Sequence, residues 1–311
     1  MNETMQLGKS GINISNLGMG LMQWGDINFT GGTGTLPNAT VLQMFQAALD
    51  RGITFYDTAE MYGNGKSESH LHGCLNSRSA NIIIATKFMP FPWRLSKGEL
   101  RSALKNSLKR LGIDHVDLYQ MHWPFPPVPI SVWMEAMADA FKEGLIRAIG
   151  VSNYSPNQVK IAADALARHN IPLASNQVKY NLLDRRPERS GLVDTCNKLG
   201  ISIIAYSPLE KGILTGKYGM NNLPRGILAW RYNKSFIIRL QPLFSTLGEI
   251  SEAHNGKSPA MISLNWLMCK GVVPIPGARN PKQVIENTGA IGWKLTESEI
   301  ARLDEISTHL K

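Results

Sequence analysis

Short apolar runs recur eight times along this chain, with longer segments between them in which apolar residues return at i, i+3 and i+4. The runs fall at residues 16–21, 53–56, 82–86, 116–121, 148–151, 173–176, 201–206 and 272–275. Helical spacing is plain at 41–50, 100–111, 132–141, 159–169 and 192–199. The runs lack the polar alternation of a half-exposed strand, so both faces must be covered, as in a parallel sheet flanked by helices. Eight such units in 311 residues predict an α/β fold, a (β/α)8 barrel of the TIM type forming one domain over residues 1–311.

Local punctuation agrees with that division. Gly52, Gly112, Gly144 and Gly200 each stand just past a helical segment, where a left-handed residue ends a helix. Ser155-Pro156 and Asn280-Pro281 read as an N-cap followed by proline in the first turn. Ahead of the first run, residues 5–15 enclose Gly8-Lys9-Ser10-Gly11 between short apolar stretches, which predicts a β-hairpin plugging the bottom of the barrel. Two segments break the scheme: residues 26–38, with Gly31, Gly32 and Gly34, and residues 217–239, with Trp230, Tyr232 and Phe236. Both follow strand ends, so both are expected as long loops on the C-terminal face, where barrels do chemistry.

Composition excludes several classes. A chain that is 43% hydrophobic and 18% charged buries a core. No apolar run approaches the roughly 18 residues of a membrane span, and residues 1–9 lack the apolar stretch of a secretory signal. Cys74, Cys196 and Cys269 are odd in number and far apart, which argues against a disulfide scaffold or a cysteine-based zinc site. A reducing, cytoplasmic setting follows, although a mature organelle protein that has lost a transit peptide would read the same. The net charge of +9 is scattered rather than gathered into a stripe or tail, so no nucleic-acid partner is expected. A phosphorylated small molecule suits the same excess of positive charge. No feature of the sequence sets an oligomeric state.

The first polar residues after each run would converge on the barrel mouth. They are Asp57-Thr58-Ala59-Glu60-Met61-Tyr62-Gly63 after the second, Lys87 after the third, His122 after the fourth and Ser152-Asn153 after the fifth. Gln177 follows the sixth, Tyr206-Ser207-Pro208-Leu209 closes the seventh, and Pro276-Gly277-Ala278-Arg279 follows the eighth. With Leu17-Gly18-Met19-Gly20, Ala85-Thr86-Lys87, Asp117-Leu118-Tyr119 and Gly150-Val151-Ser152-Asn153, this ordered set resembles the aldo-keto reductases over nearly the whole chain.

The residues supply the chemistry that this resemblance implies. Hydride transfer to a carbonyl leaves negative charge on oxygen, which needs a proton donor within hydrogen-bond reach. A free tyrosine has a pKa of about 10, and a neighbouring ammonium lowers it. Tyr62 is therefore expected as the general acid, Lys87 as its modulator, Asp57 as the anchor of Lys87, and His122 as the group that orients the carbonyl and assists proton relay. No metal is needed. His70-x-His72 has no acidic residues clustered around it and reads as two surface helix residues.

Hydride must come from a cofactor, because no side chain carries one. No usable G-x-G-x-x-G follows a strand; the resemblance implies instead NADPH/NADP+ lying extended across the mouth. By that resemblance Ser152, Asn153 and Gln177 hold the carboxamide and Tyr206 stacks on the nicotinamide. Ser207, Leu209, Gly212 and Leu214 meet the pyrophosphate, largely through backbone groups. Gly277 belongs to the same cofactor stretch, with Arg279 on the 2′-phosphate and Gln283 and Asn287 near the ribose and adenine. A guanidinium matches a phosphate and gains little from a bare hydroxyl, so Arg279 favours NADPH over NADH.

Trp24, Trp93 and Trp123 follow the first, third and fourth strands and are expected to wall a pocket for planar or apolar small-molecule carbonyls. The leading reading is an NADPH-dependent oxidoreductase that reduces aldehydes and ketones to alcohols. A narrower one is a pyridoxal reductase. A non-enzymatic one is a nucleotide-sensing subunit similar to the potassium-channel β proteins. That last class would carry a partner surface or an N-terminal extension, whereas this chain opens almost directly at the expected hairpin.

Overall fold

Antiparallel strands β1 (Thr4–Gln6) and β2 (Asn13–Ser15) form a hairpin that closes one end of a barrel. The computed structural model in which they are seen describes residues 4–25, 36–75, 81–308 and 310. Leu7, Ile12 and Ile14 from the hairpin are buried together with Phe55, Ile83, Leu118, Ala148, Ala174, Ile204 and Val273 from inside the barrel. The expected plug is therefore present, driven by apolar side chains that would otherwise face water at the barrel floor.

The barrel wall is a parallel sheet whose strands follow chain order: β3 (Met19–Gly20), β4 (Phe55–Asp57), β5 (Ile83–Phe88), β6 (Val116–Met121), β7 (Ile146–Ser152), β8 (Leu173–Lys179), β9 (Ser202–Tyr206) and β10 (Val273–Pro274). The ring closes where Gly18 N–H donates to the Pro274 carbonyl at 3.0 Å and Gly20 N–H to the Pro276 carbonyl at 3.1 Å. A (β/α)8 barrel is thus the fold. The two seam strands are shorter than the apolar runs that announced them. Pro274 and Pro276 have no N–H, so this part of the seam is carried by donors from the glycine side alone.

Helices fill the spaces between strands at the expected places. The helix Lys97–Leu111 ends on left-handed Gly112, Leu192–Leu199 ends on left-handed Gly200, and Ser155 caps Pro156–Ala167 by accepting from Gln158 N–H. Asn280 likewise caps Pro281–Thr288. Trp133, Met134, Met137 and Ala140 from the helix Ile130–Lys142 join the main core between helices and sheet. The 217–239 segment lies beyond the C-terminal end of β9 and holds two short helices, Ile227–Arg231 and Lys234–Arg239. Tyr232 and Ile237 bury it against Ile213 and Leu240. Of the glycine-rich stretch at 26–38, residues 26–35 lie outside the described residues. No helix among the described residues is long and apolar enough to cross a membrane.

Strand periodicity decides what points inward. Phe55 precedes Asp57 by two residues on β4, Ile83 and Ala85 precede Lys87 on β5, Leu118 precedes Gln120 on β6, and Ile204 precedes Tyr206 on β9. Alternation by two therefore carries the apolar floor upward into a polar layer at the C-terminal end.

Gly8 tests the plug. Its φ is +54°, and an added Cβ would lie 2.3 Å from the Ala174 carbonyl oxygen. Gly8→Ala is expected to cost about 2 kcal/mol, from backbone strain and overpacking together, read as a lower urea midpoint. An unchanged midpoint would show that the hairpin does not seat against β8.

Candidate active site

Lys87 sits at the centre of the polar layer and is fully buried. Its three ammonium donors are all used: Asp57 Oδ2 at 2.5 Å, the Thr58 carbonyl at 2.8 Å and Tyr62 Oη at 3.2 Å. Parallel pairing of β4 with β5 places the carboxylate beside the ammonium, and the turn after β4 brings Tyr62 back over it, fixed by Tyr62 N–H donating to the Ala59 carbonyl. His122, just beyond β6, presents its ring edge-on to Tyr62, with centroids 5.9 Å apart at 80°. The four groups expected to act together are therefore adjacent.

Tyr62 is held down from the other side by backbone. A Cβ on Gly25 would lie 2.3 Å from the Tyr62 carbonyl carbon, and one on Gly63 (φ +61°) would lie 2.1 Å from the Gly25 oxygen. The short helix Met22–Gly25 and the Tyr62 turn thus touch main chain to main chain.

Electrostatics gives each group a definite form. Burial pulls the Lys87 ammonium down, but the charge of Asp57, aided by Tyr62 and the hydrogen bonds to both, more than offsets it, so Lys87 stays charged above the usual lysine range. Burial raises Tyr62, Lys87 draws it down and Asp57 pushes it up; the net shift is upward. The ammonium's pull exists, as expected, yet desolvation outweighs it. Tyr62 is consequently a protonated phenol near neutrality, the form that a proton donor requires. Burial, reinforced by the Lys87 charge, pushes His122 down to about 3, so its imidazole is neutral at ordinary pH. A neutral ring can still donate one hydrogen bond and so orient a bound oxygen.

A second set of expected residues adjoins the first. Ser152 Oγ donates to the Gln177 carbonyl at 2.8 Å, and Asn153 Nδ2 donates to Ser152 Oγ at 3.0 Å and to the His122 carbonyl at 3.1 Å. Tyr206 Oη donates to Asn153 Oδ1 at 3.0 Å, and burial pushes this phenol up to about 12. After β9, Ser207, Glu210, Lys211 and Gly212 all have positive φ, an irregular run that turns the loop sharply. Leu209 is partly buried and Leu214 fully buried in the core, so Leu214 has only backbone to offer a ligand. Beyond β10, Arg279 N–H donates to Gln283 Oε1 at 2.8 Å, and Asn287 Nδ2 approaches the Gly277 carbonyl at 3.5 Å. Gly277 faces the Gln23 carboxamide.

The three tryptophans part ways. Trp24 is 0% exposed and belongs to the main core, so it does not wall an open pocket. The helical turn Met22–Gly25, with Trp24 N–H on the Leu21 carbonyl, folds the indole inward rather than onto the mouth. Trp93 is 69% exposed and stacks on Phe91 with centroids 4.5 Å apart, while Trp123 is 36% exposed and stacks on Phe125 at 5.5 Å. The Phe91–Trp93 shelf is braced by Arg94, which lies over the Phe88 and Phe91 rings and pairs with Glu60 at 2.5 Å.

Two further residues were not singled out by sequence reasoning. Gln120 is buried and donates to Asp57 Oδ1 at 3.0 Å; its signal is an amide at an inward position of a buried strand. Glu210 is a buried carboxylate that accepts from Lys179 Nζ at 2.7 Å, Asn181 Nδ2 at 2.8 Å and the Tyr232 hydroxyl. Its partners are distant in sequence, so nothing local marks it.

Comparisons with known proteins converge on one family. Residues 16–308 match the aldo/keto reductase family. The chain is 37% identical over 306 residues to the chloroplastic pyridoxal reductase of Arabidopsis thaliana, covering 94% of this chain and 83% of the relative. It is 34% identical over 276 residues to the aldo-keto reductase yakc [NADP(+)] of Schizosaccharomyces pombe, covering 83% and 79%. Among solved structures, the thermostable aldo-keto reductase Tm1743 in complex with the inhibitor epalrestat superposes with a TM-score of 0.78 at 33% identity, over 98% of this chain and 99% of the other. The glycerol dehydrogenase AKR11B4 of Gluconobacter oxydans gives 0.85 at 28% identity, over 98% and 95%.

The buried neutral imidazole has a consequence for acid stability. His122 protonates only near pH 3 when folded, whereas an unfolded histidine takes a proton near 6.5. Between those values the unfolded chain binds more protons, so stability falls as pH drops through the window, by about 2 kcal/mol at pH 5 from this group. His122→Gln is expected to flatten that part of the denaturation profile between pH 7 and pH 4; equal slopes in the two proteins would contradict the buried neutral state.

Proposed function

The chain belongs to the aldo/keto reductase family of oxidoreductases, and from that premise we propose that it reduces aldehydes and ketones to alcohols with NADPH, Tyr62 acting as general acid. The observation that carries this reading is the single hydrogen-bonded line from Asp57 through Lys87 to Tyr62, beside a neutral His122.

The residues around it fit a nicotinamide nucleotide. Tyr206 offers a half-buried aromatic ring tied to Asn153, and Ser152, Asn153 and Gln177 place hydroxyl and carboxamide groups where a ligand carboxamide could exchange hydrogen bonds. Arg279, at the start of the helix Pro281–Thr288, would take the 2′-phosphate, with Gln283 and Asn287 alongside. Gln283 already caps that helix turn through Arg279 N–H, so its contribution there is to shape the backbone. The nucleotide, when bound, supplies the hydride. The carbonyl oxygen would accept hydrogen bonds from Tyr62 and from the His122 imidazole, which holds it in line. As charge builds on that oxygen, the Tyr62 proton moves to it and Lys87 stabilises the phenolate left behind. Asp57 keeps the ammonium in place throughout.

Pyridoxal and related aromatic aldehydes are the substrate class we favour within that activity. Support comes from the two exposed stacked shelves, Phe91–Trp93 and Trp123–Phe125, which offer flat apolar faces on the loops after β5 and β6, and from the similarity to a pyridoxal reductase.

Tyr62→Phe should lower carbonyl reduction by about 10²- to 10⁴-fold while nucleotide still quenches protein fluorescence; undiminished turnover would refute the assignment. Arg279→Ala is expected to raise KM for NADPH by about 10- to 100-fold, the worth of a lost charged hydrogen bond, with little change for NADH. Equal effects on both nucleotides would remove the 2′-phosphate contact. Consumption of NADPH with 4-nitrobenzaldehyde, simple ketones, sugars and pyridoxal then ranks the substrates, and a preference for aliphatic carbonyls would count against the aromatic shelves.

A further inference from the structure

We propose that Gln120 is a positioning residue of this site: with Gln177 it holds one oxygen of Asp57, so that the other stays committed to Lys87 and the ammonium stays on the Tyr62 phenol. This inference rests on the reading of Tyr62 as the proton donor.

Strand register places the parts side by side. Lys87 on β5 is aligned with Gln120 on β6, and Gln120 with Gly150 on β7. Gln120 Nε2 donates to Asp57 Oδ1 at 3.0 Å, and Gln177 Nε2 reaches the same oxygen at 2.8 Å and Gln120 Oε1 at 3.3 Å. The Asp57 carboxylate thus has its two oxygens divided, one to two neutral carboxamides and one to the ammonium. Gln120 is fully buried, as is Lys87. Room for the glutamine comes from Gly150, where a Cβ would lie 2.9 Å from Gln120 Cγ and 2.5 Å from Ser175 Oγ.

Neutral donors matter here because a second cation would compete for the carboxylate, whereas losing Gln120 leaves Gln177 alone to hold Oδ1 against the pull of Lys87. In that second case the carboxylate turns more readily and draws the ammonium toward itself, lengthening the contact with Tyr62 Oη. The groups facing the phenol are Lys87 from β5, Asp57 from β4, His122 from beyond β6 and Tyr206 from β9. Only Lys87 is cationic at neutral pH, so any retreat of the ammonium raises the proton affinity of Tyr62.

Gln120→Met keeps the volume and removes one of the two donors; Gln120→Glu keeps the shape and sets a second carboxylate against Asp57. In alcohol oxidation, which needs the phenolate, the rising limb of the pH profile should move upward by about 0.5 to 1 unit in Gln120→Met and further in Gln120→Glu. The kcat for reduction should fall by about tenfold or more, while the nucleotide dissociation constant, read by fluorescence without turnover, changes by less than about threefold. A residue that only packs would lower the melting temperature and leave the limb in place. An unmoved limb in a variant that still binds nucleotide overturns the proposal, as does tighter packing with full activity in Gln120→Met. Tyr62→Phe run alongside separates the two claims: if it loses activity while the Gln120 limb stays put, Gln120 alone is wrong, and if it remains active, the reading of Tyr62 itself has failed.

Discussion

A lysine buried beyond the reach of water is a costly group. Taking an ammonium out of solvent costs several kcal/mol even after relaxation, and an ion pair with one carboxylate does not by itself return that amount. Lys87 survives because every donor it has is met, by a carboxylate, a backbone carbonyl and a phenol. An apolar pair of the same volume would serve stability as well. The barrel's geometry is what makes the arrangement accessible, since the parallel register sets Asp57 level with Ala85, two residues before Lys87 on the neighbouring strand, without any loop having to choose a conformation.

Much of this was legible because alternation by two and by 3.6 is a property of local sequence. The β6 run was read to the residue, and the polar residues ending each run do ring one mouth. The seam was harder. Residues 16–21 and 272–275 look like full strands, yet each pairs with its inner neighbour over only two residues, and across the seam Pro274 and Pro276 have no N–H to give. Trp24 was misplaced because distance past a strand says nothing about which way the next turn rotates a side chain. The helical turn at Met22–Gly25 carries it into the core. The state of Tyr62 was half readable: the chemistry of a nearby ammonium is visible in the sequence, whereas the larger opposing effect of burial exists only in three dimensions.

Glu210 shows the same limit in another form. Read along the chain it is one polar residue among several in a loop. Folded, it is a buried hub that joins Lys179 and Asn181, at the end of β8 and just beyond it, to Tyr232 in the 217–239 segment, and it holds a backbone conformation that few non-glycine residues accept. The loop proposed to meet the pyrophosphate is therefore shaped by a buried acid.

Gly25 and Gly63 lack any reactive atom, yet their main chains abut directly beneath the tyrosine. The smallest residues thus act as a spacer gauge for the phenol, set to the thickness of bare peptide. Redesign efforts that widen the mouth for bulkier carbonyls have freedom along the aromatic rim, but this gauge leaves them no slack, and directed evolution of the pocket would drift around these two sites rather than through them.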